Sequence, residues 1–214
     1  GVQTCALPIF FHVDPHETGE IELLGKSLAK EDPKGAIRRG LALLPEDRKR
    51  QGLALILSVA ENVVMASLSR LFPRGFLRNR REQESVSKYV QELRISTPGI
   101  RQFAKNLSGG NQQKVVLAKW LCTEAEVFMF DEPTRGIDVG AKQEIYAFMD
   151  DLARKGKAVL MISSELPEII GLCDRVYVMR EGSIVAELDR TEATQETIIA
   201  YAMGGACADG GRAS

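Results

Sequence analysis

Two adjacent carboxylates follow a short apolar segment in the second half of the chain. The segment "VFMF" (127–130) has the length and apolar character of a buried central strand, and Asp131 and Glu132 follow it directly. Open α/β sheets bind ligands beyond the carboxyl ends of their strands. An aspartate there suits a hydrated Mg²⁺ on nucleotide phosphates, and the glutamate can orient or deprotonate a water. The alternative is that the pair only caps the turn before Pro133.

A second pattern, "LSGGNQQKVVLAKWL" (107–121), predicts a helix with a phosphate site at its start. Ser108 precedes Gly109 and Gly110, and a long helical run follows. The first turn of a helix leaves backbone N–H groups without partners, and roughly half a positive charge is located there. Such a terminus binds anions. A Gly-Gly pair before a helix is also common in loops, so this motif alone leaves both interpretations open.

A glycine-rich loop ending in Gly-Lys-Ser or Gly-Lys-Thr, which grips nucleotide phosphates in many ATPases, is not found in the 214 residues. The segment "GEIELLGKS" ends in Gly25-Lys26-Ser27, but its glycine spacing is wrong by one and its middle alternates like a strand. We therefore predict a β-hairpin here, with Glu20 to Leu24 as the first strand and Gly25-Lys26 as the turn.

Composition excludes several function classes. The chain has 28 basic and 29 acidic residues and 44% hydrophobic residues, which is typical of an ordinary globular domain and does not indicate a nucleic-acid partner. The four cysteines form no C-x-x-C pair, so neither a zinc site nor a disulfide framework is predicted. No apolar stretch has the length of a membrane span, so any membrane association is expected to come through a partner.

The elements that would position these motifs follow from periodicity. A strand is predicted at 41–44 and helices between about 59 and 121, interrupted by "LFPRG", by "STPG" and by the glycine pair. Beyond 127, apolar strands alternate with helices, which predicts a parallel sheet covered on both faces. The elements predicted there are strands at 127–130, 158–163, 175–180 and 184–188, and helices at 141–155, from Pro167 and at 194–203.

Taken together, the motifs resemble those of ABC transporter ATPases. Leu107 to Gly110 is similar to the signature motif, and "VFMFDEPTRGID" is similar to the Walker B strand and the D-loop. With "PEDRKRQGL", "AENVVMASL" and "ISSELPEIIGLCDRVYVMREG", the resemblance narrows to the second nucleotide-binding domain of bacterial simple-sugar importers. It implies an α/β P-loop NTPase domain with a parallel-sheet core, a helical insert at about 55–121 and an antiparallel hairpin near the N-terminus, but without its Walker A loop.

The resemblance also implies roles for individual residues. Glu132 would be the catalytic glutamate, Ser164 would occupy the position of the switch histidine, and Asp131 would hold Mg²⁺ through water. The implied nucleotide-binding residues are Ser108, Gly109, Gly110, Gln112, Asp138 and, in place of the usual Q-loop glutamine, Glu46. A serine cannot supply the proton switching of an imidazole, so the site built from this domain's own strands is expected to hydrolyse ATP weakly.

In this family two nucleotide-binding domains stack head to tail, and the signature of one closes over ATP held by the P-loop of the other. The resemblance therefore implies ATP and Mg²⁺ as cofactors and a first nucleotide-binding domain as partner, normally on the same polypeptide. It also implies membrane permease subunits, contacted by residues around 55–80, and indirectly a periplasmic sugar-binding protein, but no nucleic acid. The expected location is the cytoplasmic face of the bacterial plasma membrane, as a peripheral subunit.

The expected domain limits are a non-native or truncated end at 1–10, a partial nucleotide-binding domain at 11–203 and a disordered tail at 204–214. The P-loop strand and helix of the family would precede "FFHVDPHETGEI", so the chain resembles a domain with its front removed and is expected to be inactive alone. Two alternatives stay open. One is an ATPase of DNA repair or chromosome maintenance, which would need a long heptad insert or a DNA-binding module. The other is a truncated interaction module without its own ATPase activity.

Overall fold

The computed structural model describes residues 6–11, 13–14, 18–28, 32–73 and 79–204. The chain forms two compact units, residues 7–161 and the residues from 162 onward, which are described separately. Within the described segments, no helix combines the length and the apolar character needed to cross a membrane. The predicted tail at 204–214, apart from Gly204, lies outside the described residues.

The first unit contains a hairpin, a parallel sheet and helices. Its strands are β1 (Glu22–Leu23), β2 (Lys26–Ser27), β3 (Leu41–Leu44), β4 (Val127–Asp131) and β5 (Ala158–Ile162). Its helices are α1 (Ala6–Phe10), α2 (Pro33–Arg38), α3 (Val59–Val64), α4 (Leu68–Leu71), α5 (Asn79–Glu92), α6 (Gly109–Leu121) and α7 (Val139–Arg154). The second unit contains α8 (Leu166–Leu172), β6 (Arg175–Arg180), β7 (Ser183–Asp189) and α9 (Gln195–Met203).

The segment that ends in Gly-Lys-Ser is a hairpin, as predicted, and not a phosphate loop. β1 pairs antiparallel with β2, with Leu23 opposite Lys26. The two turn residues, Leu24 and Gly25, have φ of 51° and 71°, the left-handed values of a tight two-residue hairpin turn. The predicted turn Gly25-Lys26 is one residue too late, because Lys26 already pairs in β2.

A parallel sheet carries the acid pair at the end of one strand. The strands lie in the order β3-β4-β5, and β3 runs parallel to β4 with Leu44 opposite Phe130. Leu44, Phe128 and Phe130 are at most 1% exposed, as expected for strands covered on both faces. The predicted parallel core is confirmed.

The helical segment between β3 and β4 starts with a well-capped helix. Ser58 and Glu61 form a capping box at the start of α3, and the Ser58 N–H donates to the Glu61 carboxylate over 2.8 Å. The buried Asn62 side chain donates to the carbonyls of Ala54 and Ser58. α3 packs against α6, whose residues 112–120 are all buried. Packing on nearly all sides therefore fixes the position of α6.

The second unit corrects one prediction. The alternation of strands and helices predicts parallel strands throughout, but β6 and β7 pair antiparallel, with Val176 opposite Leu188. The loop between them is only Glu181-Gly182, with φ of 50° and 84°, whereas parallel strands need a crossover of about a dozen residues. The buried cluster of this unit comprises Val176, Val178, Leu188, Ala193 and Ile198.

Candidate nucleotide site

Asp131 ends β4 with its side chain in the interior. The residue is 6% exposed, and no donor in the described part of the chain reaches its Oδ1. Burial and, secondly, the charge of Glu132 raise the pKa of the Asp131 carboxyl to about 6. A buried carboxylate oxygen without a donor costs free energy, and a cation or ligand is a common reason for keeping one.

The acid pair fits a Mg²⁺ ion held together with a nucleotide better than a metal held by protein alone. Among the described residues, no group of three or more His, Cys, Asp or Glu side chains could hold a metal ion. Mg²⁺ keeps several waters and takes one or two carboxylates together with substrate phosphates. The unpaired Oδ1 of Asp131 can supply such a contact, directly or through water.

Glu132 lies in a tight turn directly after the strand. Its φ of 44° is left-handed, a value that few non-glycine residues adopt. The N–H of Arg135 donates to the Glu132 carbonyl over 3.1 Å, which closes the turn around Pro133. Backbone strain of this kind persists only where the surrounding structure enforces it, and it is common at functional sites.

The signature motif forms the N-terminus of α6, as predicted. Ser108 is the exposed N-cap, and its Oγ accepts hydrogen bonds from the Asn111 side-chain amide at 2.9 Å and from the Asn111 N–H at 3.4 Å. A Cβ on Gly110 would lie 3.1 Å from the Cβ of Ala141 in α7, so glycine allows these helices to approach. The exposed helix start is suited to an anion.

The structure joins α6 to the turn after the acid pair. The side-chain amide of Gln113 donates to the Pro133 carbonyl over 3.0 Å, in the interior of the protein. Because α6 also carries Ser108, this bond connects the signature helix to the residue that follows Glu132. Gln113 is not among the site residues that the sequence motifs predict.

Glu46, on the segment after β3, contacts the turn that follows the acid pair. Its half-buried carboxylate pairs with the guanidinium of Arg135, in the turn after the acid pair. Arg48, two residues further along, donates to the carbonyls of Arg135 and Gly136. Together with Asp47 and Lys49, these side chains line a surface cleft. The structure therefore brings Glu46 to the turn that follows Glu132.

Two other predicted residues have partners within the fold. Asp138 is the exposed N-cap of α7, and its Oδ1 accepts from the Ala141 N–H at 2.9 Å. Gln112 is 4% exposed and donates from Nε2 to the Ala104 carbonyl over 3.1 Å. Its side chain therefore lies in the interior. Nucleotide contacts by Asp138 and Gln112 stay predictions.

In the second unit, the loop after β5 contains the predicted switch position. Ser164 is exposed. The anchored residue is the preceding Ser163, whose Oγ donates to Oε2 of Glu168 over 2.8 Å and accepts from the Glu165 N–H at 3.0 Å. Glu168 is 4% exposed, so this hydrogen bond joins the loop to a buried carboxylate.

Ser163→Ala is expected to lower the free energy of unfolding by about 1.5–3 kcal/mol, the range for a hydrogen bond to a charged group. Ser164→Ala, the matched control, should stay within about 0.5 kcal/mol of the unaltered chain because its side chain is exposed. Urea unfolding of both variants checks this. Equal stability of the two variants would contradict the assignment of Ser163 as the anchor of the loop.

Comparisons with known proteins agree on the family. The model of the ABC transporter family matches residues 4–135. The chain is 50% identical over 194 residues to the ribose import ATP-binding protein RbsA of Rhodococcus jostii (strain RHA1), covering 91% of this chain and 39% of that protein. It is 47% identical over 195 residues to RbsA of Bacillus subtilis (strain 168), covering 91% of this chain and 40% of that protein. The chain thus spans about two fifths of the length of these relatives.

Solved structures agree on the fold. The dimeric ATP-binding cassette MJ0796, bound to ADP and Pi, matches with a TM-score of 0.75 at 18% identity, covering 88% of this chain and 80% of that one. The ADP conformation of the cassette MJ1267 matches with a TM-score of 0.72 at 22% identity, covering 94% of this chain and 82% of that one. Both structures show the fold of an ABC ATPase cassette.

The family match begins at residue 4, inside the segment predicted to be non-native or truncated. In that part of the chain Leu7 is fully buried. The Phe11 ring lies edge-on against Trp120 in α6, with ring centroids 5.6 Å apart. The acid pair, the signature helix and the parallel sheet agree with the matched sequence, and the chain belongs to the ABC transporter family.

Proposed function

We propose that the chain is the second nucleotide-binding domain of an ATP-driven importer of simple sugars. The observation that carries the proposal is the start of the signature helix α6, capped by the exposed Ser108, while the 214 residues contain no lysine-containing phosphate loop. Such a signature would close over ATP held by the P-loop of a first nucleotide-binding domain. Similarity to ribose import ATP-binding proteins supports the sugar class.

The chain's own acid pair would serve the second nucleotide. Asp131 would hold Mg²⁺ through water, and the ion, when bound, would neutralise charge on the phosphates. Glu132 would orient the attacking water, while Glu46 and Asp138 would lie beside the nucleotide. Ser164 would occupy the switch position without an acid–base role, because a serine hydroxyl, unlike an imidazole, does not ionise near neutral pH. This site is therefore expected to turn over slowly.

The helical segment offers a surface for the membrane permease. Ile56 is 77% exposed, and Met65, Leu68 and Phe103 are exposed by 41–49%. Exposed apolar side chains gathered on one segment are common at protein interfaces. The permease would place the chain at the cytoplasmic face of the membrane, and a periplasmic sugar-binding protein would act on the permease from the other side.

The test compares the isolated chain with a chimera, in which the chain replaces the matching residues of the Bacillus subtilis RbsA protein. We expect the isolated chain to bind Mg-ATP too weakly for calorimetric titration, because the backbone amides and the lysine of a phosphate loop make most of the contacts with the phosphates. The chimera should hydrolyse ATP in membrane vesicles that contain the rest of that importer.

The two arms test different parts of the proposal. Micromolar binding of Mg-ATP by the isolated chain would contradict a site that depends on a partner's phosphate loop. A chimera that assembles in the membrane but does not hydrolyse ATP would contradict the importer role. The unaltered RbsA protein in the same vesicles is the control for assembly.

A further inference from the structure

Arg48 connects two segments that the sequence motifs treat as separate. Its Nη1 donates to the Arg135 carbonyl over 3.1 Å, and its Nη2 lies 3.4 Å from the Gly136 carbonyl. Its Nε is buried and has no acceptor in the described part of the chain. The guanidinium therefore lies against the protein, with its outer nitrogens directed at two consecutive carbonyls of the turn that follows the acid pair.

The same guanidinium lies against the first glycine of the signature. A Cβ on Gly109 would lie 2.9 Å from Nη2 of Arg48 and 3.7 Å from the Gly136 carbonyl oxygen. Gly109 is the first residue of α6 and adopts helical backbone, so no left-handed conformation requires glycine. The hydrogen bonds to the two carbonyls restrict the retreat of the guanidinium. A side chain at position 109 would therefore push the end of the Arg48 side chain away from these carbonyls.

A second contact links the same segments. The carboxylate of Glu46 pairs with the guanidinium of Arg135. The segment after β3 thus contacts the turn in two ways. Arg48 binds the backbone carbonyls of the turn, and Glu46 binds the side chain of Arg135. We call Glu46, Arg48, Arg135, Gly136 and Gly109 the arginine clasp.

We propose that Arg48 is a positioning residue that fixes the turn after Glu132 against the start of the signature helix, and that Gly109 is required to leave room for it. The planar fork of an arginine suits two neighbouring acceptors, whereas a lysine offers a single point donor. Through the clasp, the signature and the turn between the acid pair and α7 move as one body. This inference deepens the proposed function and rests on it for its functional meaning.

The first test is a double-mutant cycle on the full 214-residue chain. Gly109→Ala should lower the midpoint of thermal unfolding by roughly 2–4 °C, because the new methyl group displaces the guanidinium. In the Arg48→Ala background the same change should leave the midpoint unchanged or raise it, since alanine is a better helix former than glycine. Arg50 is an exposed arginine on the same turn, and Arg50→Ala is the control background. In this background Gly109→Ala should still lower the midpoint by roughly 2–4 °C.

If Gly109→Ala lowers the midpoint equally in the unaltered chain, in Arg48→Ala and in Arg50→Ala, the proposal is overturned, because the effect of Gly109→Ala would then be independent of Arg48. A gain in all three would overturn it as well. The clasp is supported only if Gly109→Ala lowers the midpoint in the unaltered chain and in Arg50→Ala but not in Arg48→Ala. A double-mutant cycle of this kind isolates the coupling between Gly109 and Arg48.

The second test is spectroscopic and uses the conservative variant. In a ¹⁵N-glycine-labelled chain, Arg48→Lys should shift the amide signals of Gly136 and Gly109 while keeping the unfolding midpoint within roughly 2–4 °C. Arg50→Lys should leave both signals in place. Unchanged Gly136 and Gly109 signals in Arg48→Lys would overturn the proposal. Neither test uses ATP, so failure here is distinct from failure of the proposed ATP-driven import.

Discussion

Ser108→Arg in the chimera is expected to reduce ATP turnover by about 100-fold or more, the range for loss of a preorganised donor to a reacting oxyanion. Ser108 is exposed at the start of α6, so a long cationic side chain there fills the space that a γ-phosphate would use and removes the hydroxyl. Nucleotide binding to the first domain should survive, because its phosphate loop is intact. ATPase rates and nucleotide binding measured in the same vesicles check both expectations.

Two further variants complete the experiment. Asn106→Arg places the same side chain on an exposed residue at the end of the short 3₁₀ helix that precedes Ser108, outside the start of α6, and should keep turnover within about tenfold. Glu132→Gln should cost less than the corresponding change in the first domain if, as proposed, Ser164 replaces the switch histidine of the site that Glu132 would serve. Normal turnover by Ser108→Arg would contradict the role in trans, and so would Glu132→Gln being the most damaging change.

Much of the fold was predictable because its signals are local. The apolar run that forms β4 and the Thr194 cap before α9 need only neighbouring residues for their prediction. The antiparallel pairing of β6 with β7 departs from the predicted parallel sheet, and Glu181-Gly182 is indeed too short for a parallel crossover. Alternating strands and helices favour a parallel sheet, whereas a loop of two residues favours an antiparallel hairpin.

The site was predictable only as far as its motifs extend along the chain. Ser108 and the acid pair stand out because strand and helix ends present them. Arg48 lies among charged neighbours in "EDRKRQ", a pattern that is typical of a solvated surface, and its contact with Gly136 spans 88 residues of sequence. Ser164 was chosen by position in the motif, whereas the burial of Glu168, which anchors the neighbouring serine, is visible only in the folded chain. Long-range contacts of this kind leave no periodic signal.

Asp131→Asn is expected to stabilise the chain at neutral pH and much less in acid. The folded-state pKa of Asp131 is about 6 against 3.8 for an unperturbed aspartate, so the unfolded chain releases this proton at lower pH than the folded chain. Stability is therefore lost as pH rises from about 4 to 7, because the folded state must bury the charge. Relative to Asn, the unaltered chain should lose about 2–3 kcal/mol of unfolding free energy over that range.

Urea unfolding at pH 4 and pH 7, with a chelator and without nucleotide, measures this difference. Asparagine has nearly the same shape as aspartate and removes only the charge, so the pH dependence of the difference isolates the buried carboxylate from any constant packing effect. Asp138→Asn, which removes an exposed carboxylate while keeping a good helix N-cap, is the matched control in the same series. If both substitutions change the unfolding free energy equally between the two pH values, burial of the Asp131 charge is not the cause. A fold that tolerates this cost has a reason to keep an ionisable oxygen at the end of β4, and a cation on nucleotide phosphates would supply one.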